Sequence, residues 1–165
     1  MKRLQGITVV EGILVLLIIV LILAFLFPTF SGGHGSPKTA CLSNLKQVGI
    51  GQLIYASDHD DRTLLGPGWM DVAAPYLKIE HVYTCSEVKK GTEYGYAFNQ
   101  FMGGAKIGSV DDATKHVFYD TRNLERSVCE FLPQFPVPGR HSGFNTIAYA
   151  DSHARALRMD PEPSK

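Results

Sequence analysis

The apolar residues divide the chain into two parts that meet near residue 30. From Ile7 to Phe27 almost every residue is apolar, and a single carboxylate, Glu11, interrupts the run. These 21 residues would extend ~30 Å as an α-helix, about the thickness of the hydrocarbon core of a bilayer. The pattern therefore predicts one long hydrophobic helix over residues 7–30 that crosses a membrane and carries one buried acid.

The charges that flank this helix predict its orientation. Lys2 and Arg3 precede the apolar run, so the positive-inside rule keeps the N-terminus in the cytoplasm and places the chain after Phe30 outside it. A cleaved secretory signal is the alternative, and Ser31–Gly33 loosely resembles its cleavage site. The run is longer than the ~7–15 residues of a signal peptide core, which favours a retained helix.

Beyond residue 30 the pattern is that of one α+β domain over residues 39–165. Residues 31–38 are rich in Gly, Ser and Pro and predict a hinge. Thr39 to Ser57 has apolar residues every three or four positions, which predicts a second helix, and Gly49 and Gly51 indicate close packing against another element. A short helix is expected from Trp69 to Leu77, interrupted or ended near Pro75.

Downstream of these helices, the sequence has short β-prone runs in which the period of the pattern is two residues. We expect these runs to form a small antiparallel sheet packed on the second helix. The predicted strands are Val82–Cys85, Tyr94–Phe98, His116–Tyr119, Thr146–Ala150 and Ala154–Leu157.

Composition excludes some functions. Lys plus Arg and Asp plus Glu number 16 each, so no excess of one sign points to nucleic acid as a partner. The sequence has no nucleophile elbow and no Gly-rich phosphate loop after a strand. We expect a protein that is not an enzyme.

The three cysteines, Cys41, Cys85 and Cys129, would lie outside the cytoplasm, where disulfides persist. One disulfide and one free thiol is the simplest arrangement, although sequence alone does not fix the pairing. We favour Cys41 with Cys85, which would join the second helix to the sheet. The alternative is three buried thiols that act as small apolar side chains.

Two groups of residues could bind a metal. Asp151 and His153 would point to one face of a strand and could share an ion with His141 from a preceding loop. Hydrogen bonds at a hairpin end are the structural alternative. Carboxylates at residues 58, 60 and 61 could hold Ca²⁺, although no EF-hand pattern is present and a solvated turn at a helix end is the simpler interpretation. We expect no required cofactor.

The N-terminal residues resemble a known processing signal. Lys2-Arg3, Gly6, the run Ile7-Thr8-Val9-Val10-Glu11 and the closing Pro28 are similar to the class III signal of type IV pilins and type II secretion pseudopilins. The resemblance implies that prepilin peptidase removes the leader, residues 1–6, by cutting between Gly6 and Ile7 and then methylates the new N-terminus. Ile7 stands where phenylalanine is commoner.

The same resemblance implies how subunits would assemble. Cleavage would create an amine on Ile7, and Glu11 could neutralise that amine within one helix or on a neighbouring subunit, which would fix the axial register. Pro28 would lie in the assembled helix core. The less specific alternative is a single-span anchor that tolerates one acid.

The soluble part resembles a subgroup of prepilin-type proteins. It carries the similar helix sequence Cys41 to Gln47, then Cys85, and His141 followed by Asp151. Ser152 departs from the Asp-Gly pair that is usual in the subgroup.

These resemblances imply a structural subunit of a helical filament, either a type IV pilus or a type II secretion pseudopilus. Its expected partners are copies of itself, prepilin peptidase and an inner-membrane assembly platform. The precursor would lie in the inner membrane with its C-terminus outside, and the assembled form at the cell surface or in the periplasm. The alternative function is a monomeric, membrane-tethered binding or sensing domain, with a metal at His141, Asp151 and His153.

Overall fold

The computed structural model describes residues 8–30, 35–88, 94–108 and 110–159. The chain divides into two compact units, Met1–Gly35 and Ser36–Lys165. The predicted leader, with Gly6 and the cleavage-site residue Ile7, lies outside the described residues, as do residues 31–34 of the predicted hinge.

The first unit contains one helix, α1, over Val9–Phe30, so Pro28 lies inside it. The side chains of α1 are described as far as Phe25. Within the described part of the chain, no helix combines the length and the hydropathy needed to span a membrane. The predicted membrane-spanning helix at residues 7–30 is therefore not supported.

The second unit begins with helix α2, Pro37–Ser57. Ser36 is its N-cap, because the Ser36 hydroxyl accepts a hydrogen bond from the Thr39 amide at 3.3 Å, and Pro37 fits the first turn because that position needs no amide donor. The helix thus starts two residues before the predicted Thr39. The last two residues of the predicted hinge, 37 and 38, belong to α2.

Close packing of α2 was expected at its glycines and is confirmed at Gly51. A Cβ at this position would lie 2.6 Å from the Leu77 side chain, so only glycine lets helix α3, Trp69–Leu77, approach. Helix α3 continues through Pro75 to Leu77, so the predicted break at the proline does not occur.

The segment after α3 corrects one predicted strand. Glu80–Tyr83 is a 3-10 helix, and Cys85 follows it without entering the sheet. Val82 and Tyr83 are buried, and the Tyr83 hydroxyl donates to the Met70 carbonyl at 3.1 Å. The apolar, β-prone residues here serve packing against α3, and this tertiary contact overrides their strand propensity.

The other four predicted strands are present within a five-stranded sheet. The strands are β1 Tyr96–Asn99, β2 His116–Asp120, β3 Cys129–Glu130, β4 Phe144–Tyr149 and β5 Ala154–Arg158. Their order in the sheet is β3-β1-β2-β4-β5. The expected antiparallel sheet is in fact mixed, because the two-residue β3, which was not predicted, pairs in parallel with β1, whereas all other neighbours are antiparallel.

The core lies between α2, α3 and one face of the sheet, as expected for an α+β domain. Trp69 is fully buried, its ring contacts Tyr83 and Phe118, and its indole N–H donates to the Val128 carbonyl at 3.1 Å. Aromatic packing therefore joins α3 to the sheet.

Candidate functional site

The first candidate residue, Glu11, lies in the first turn of α1 and makes a capping box with Thr8. The Thr8 amide and hydroxyl donate to Glu11 Oε2 at 2.8 and 2.9 Å, and the Glu11 amide donates to Thr8 Oγ1 at 3.4 Å. Each side chain satisfies an amide that the helix start leaves unpaired. This capping role of Glu11 was not predicted, although the Thr-x-x-Glu spacing signals it.

The capping box leaves Glu11 with free capacity. Its hydrogen bonds among the described residues all go to Oε2, and the residue is exposed. Glu11 can therefore cap its own helix and still use Oε1 to accept a hydrogen bond from, or form an ion pair with, another group. The predicted partner, the amine of Ile7, lies outside the described residues.

The second candidate group lies in the second unit and is built around a disulfide. Cys41, on the buried face of α2, is bonded to Cys85, and their Cα atoms are 5.1 Å apart. The favoured pairing is confirmed, and Cys129 is free as expected. The disulfide links α2 to the segment before β1, and not to a sheet strand, because Cys85 follows the 3-10 helix.

Polar groups surround both sulfur atoms. The Ser86 amide donates to Cys41 Sγ at 3.2 Å. On the other side, His141 Nε2 lies 3.6 Å from Cys85 Sγ. Cys41, Cys85 and His141 are all buried, and their ligand atoms lie within 4.8 Å of one another. Within the described residues they form the single cluster of three potential metal ligands.

The histidine of this cluster also contacts a buried acid, Asp120, at the end of β2. His141 Nε2 lies 3.2 Å from Asp120 Oδ2, and both side chains are fully buried. His141 Nδ1 is buried and has no hydrogen-bond partner among the described residues. One nitrogen of this ring is thus left unsatisfied, which ordinarily costs ~1–3 kcal/mol.

The charge of Asp120 is compensated by neighbours other than the histidine. Arg140 Nη1 lies 3.3 Å from Oδ1, and the Thr146 amide and hydroxyl donate to Oδ2 at 2.5 and 3.0 Å. Arg140 Nη1 also donates to the Gly95 carbonyl at 2.8 Å. Neither Asp120 nor Arg140 was predicted as a site residue. An acid directly after the β-prone run His116–Tyr119 was the available signal.

The metal candidates Asp151 and His153 lie elsewhere and interact with each other. They occupy the turn between β4 and β5, not a strand, and His153 Nδ1 contacts Asp151 Oδ1 at 2.5 Å. The His153 ring stacks on Tyr149 with centroids 4.2 Å apart. Asp151 and His153 are therefore not brought together with His141. They make hydrogen bonds at the end of the β4–β5 hairpin, which was the structural alternative.

The acidic residues after α2 form an exposed turn. Asp58 is the C-cap of α2, and Asp60 and Asp61 have φ angles of 54° and 58°. The Asp61 amide donates to the Ala56 carbonyl at 2.9 Å, which closes the helix end. These contacts account for the turn as a helix terminus.

The free thiol, Cys129, lies on β3 next to the buried acid Glu130. Burial, with a smaller contribution from the negative charge of Glu130, raises the pKa of the Cys129 thiol to about 11. This thiol is therefore protonated and unreactive at neutral pH.

Comparison with known proteins does not assign the chain to a family, because no protein family, no curated protein and no solved structure matches it.

Proposed function

We propose that this protein is a structural subunit of a helical filament, a type IV pilus or a type II secretion pseudopilus. In this proposal, prepilin peptidase cuts after Gly6, the N-terminal helix forms the filament core, and the α+β domain lies on its outside. The precursor would be held in the inner membrane with the α+β domain outside the cytoplasm.

The observation that carries the proposal is the combination of an apolar α1 with one acid in its first turn. The large apolar side chains of α1 between Val9 and Phe25 are all exposed. Their exposed fractions range from 46% for Ile18 to 83% for Phe25. An apolar helix surface of this kind is buried when the helix packs against other helices. Glu11 is the only charged residue in this helix.

The charge of Glu11 would fix the axial register between neighbouring helices in the filament. Once residues 1–6 are removed, Ile7 would carry a positive amine, and burying that amine between packed helices is costly unless an acid neutralises it. Glu11 of a neighbouring subunit is the acid available at the same depth. The Thr8 contacts support this role because they hold the carboxylate at the helix N-terminus, where negative charge is also favoured by the helix dipole.

Substitutions at the capping box separate helix capping from charge neutralisation. Glu11→Gln replaces the carboxylate by an amide whose oxygen can still cap, since Gln also serves at this position of a capping box, but it removes the charge. Thr8→Ala removes the cap and costs ~1 kcal/mol of helix stability, but it keeps the charge. Glu11→Ala removes both.

The experiment compares filament formation by these variants and the parent, expressed at equal levels in membranes. We expect Glu11→Gln and Glu11→Ala to insert into the membrane normally and to yield no sheared filaments, whereas Thr8→Ala assembles. Filaments of Glu11→Gln at the parental level, with Thr8→Ala defective, would assign Glu11 to capping alone and contradict the proposal.

A further inference from the structure

We propose that reduction of the Cys41–Cys85 disulfide creates a binding site for a thiophilic divalent cation, Zn²⁺ being the natural fit. The ligands are Cys41, Cys85 and His141. This inference concerns the α+β domain and is independent of filament assembly.

The distances around His141 fit a tetrahedral site. With bonds of ~2.3 Å to sulfur and ~2.0 Å to nitrogen or oxygen, neighbouring ligand atoms of one zinc ion lie ~3.3–3.8 Å apart. His141 Nε2 is 3.6 Å from Cys85 Sγ and 3.2 Å from Asp120 Oδ2. Cys41 Sγ, Cys85 Sγ and the His141 ring nitrogen lie within 4.8 Å of one another. A cation can thus reach all three ligands after small side-chain rotations.

The contacts of His141 Nε2 are a second observation. This nitrogen lies between the Asp120 carboxylate and the sulfur of Cys85. When Nδ1 carries the ring proton, the Nε2 lone pair faces both of these electron-rich groups, and a cation between them relieves the repulsion. The ion would leave Nδ1 as it is, buried without a partner among the described residues.

The charges balance when the ion is bound. Two thiolates neutralise a divalent cation, and Asp120 is already compensated by Arg140 at 3.3 Å. The buried site would therefore carry no net charge, which avoids the large desolvation cost of an isolated ion. The Ser86 amide, at 3.2 Å from Cys41 Sγ, would stabilise one thiolate.

A cleft of about 240 Å³ borders the site and is lined by Ser36, Lys38, Glu87 and His141 among others. The His141 side chain itself is fully buried, so a cation that enters from this cleft needs a local opening of the residues around the ring.

The disulfide-bonded form and the cation-bound form of the protein use the same two sulfur atoms and exclude each other. A dithiol reductant supplies two electrons and two protons to the S–S bond, which leaves two thiols on the protein and converts the reductant to its own disulfide. Binding of the cation then releases both thiol protons to solvent, so that each sulfur coordinates as a thiolate.

The test uses the full chain in detergent micelles with the Cys129→Ser substitution, so that Cys41 and Cys85 are the only thiols. The protein is reduced with a phosphine, which does not compete for metal through sulfur, and is titrated anaerobically with Co²⁺ as a spectroscopic probe. We expect one Co²⁺ per chain, thiolate-to-cobalt charge-transfer absorption, tetrahedral ligand-field bands, and displacement of the cobalt by Zn²⁺. The unreduced protein is the control and should give none of these bands.

The contribution of His141 is measured with His141→Gln and His141→Asn, each checked by circular dichroism. Loss of this ligand should weaken Co²⁺ binding by at least ~10-fold, since even an outer partner of a metal site is worth that much. The proposal is overturned if the reduced, folded protein gives no thiolate–cobalt band, or if both histidine variants bind as tightly as the parent. It is also overturned if the reduced chain unfolds and metal does not restore its fold.

Discussion

Cys41 in α2 and Cys85 after the 3-10 helix are joined across 44 residues of sequence. The segment between them contains α3 and the aromatic residue Trp69, so the disulfide closes a loop that includes a large part of the core. A crosslink of this kind stabilises a fold mainly because it restricts the unfolded chain.

The first prediction concerns the stability that this crosslink provides. We expect Cys41→Ala/Cys85→Ala to lower the free energy of unfolding of the α+β domain by ~2–4 kcal/mol. Urea denaturation followed by tryptophan fluorescence measures this, because Trp69 is the only tryptophan and is fully buried. Cys129→Ala is the control and should cost less. A double variant as stable as the parent would show that the disulfide does not constrain the fold.

The second prediction concerns the turn between β4 and β5. Ser152 has a φ of 69°, a left-handed conformation that costs a residue with a side chain ~1–2 kcal/mol and glycine almost nothing. We therefore expect Ser152→Gly to raise the free energy of unfolding by ~0.5–1 kcal/mol, after allowance for the greater freedom of glycine in the unfolded chain.

A matched substitution tests the sign of that effect. Ser57→Gly makes the same chemical change at the last residue of α2, where glycine is unfavourable and the Ser57 hydroxyl donates to the Ile54 carbonyl at 2.7 Å, and should destabilise by ~0.5–1.5 kcal/mol. Thermal unfolding of both variants against the parent gives the comparison. Equal destabilisation by the two would mean that the conformation of Ser152 carries no strain.

The third prediction concerns the reactivity of the free thiol. Burial next to Glu130 raises the pKa of Cys129 to about 11 from an ordinary 9.0, so its thiolate fraction at pH 8 is lower than in the unfolded chain by one to two orders of magnitude. Alkylation by iodoacetamide, followed by mass spectrometry, should be slower in the folded protein by at least that factor.

The pH dependence of alkylation supplies the check on this third prediction. Because the thiolate is the nucleophile, the rate in the folded protein should still be rising at pH 10, whereas in urea it should level off above pH 9. A folded-state rate that levels off near pH 9 would contradict the raised pKa.

The strands were predictable where local pattern and tertiary structure agree. The runs at His116–Tyr119 and Ala154–Leu157 became β2 and β5 nearly as expected, since their β-prone residues pair with neighbours in the sheet. Val82–Cys85 has the same kind of sequence but packs on α3 as a 3-10 helix. Strand β3 has two residues and pairs in parallel with β1, so no local pattern marks it.

The candidate site was predictable only in part. The Cys41–Cys85 disulfide was favoured, but not fixed, by the number of cysteines and by the advantage of joining α2 to the sheet. The neighbours of His141 did not follow, because Asp120 and Cys85 are 21 and 56 residues away in sequence and only the fold brings them together. Spacing suggested Asp151 as the partner, but the β4–β5 turn pairs it with His153.

Prepilin-type processing and assembly are tested most directly by the mass of the mature N-terminus of the native protein. We expect a chain that begins at Ile7, with or without one methyl group, recovered from a filament or membrane fraction. A mature protein that still begins at Met1 and does not associate would contradict the proposed function, and so would one cut near Gly33.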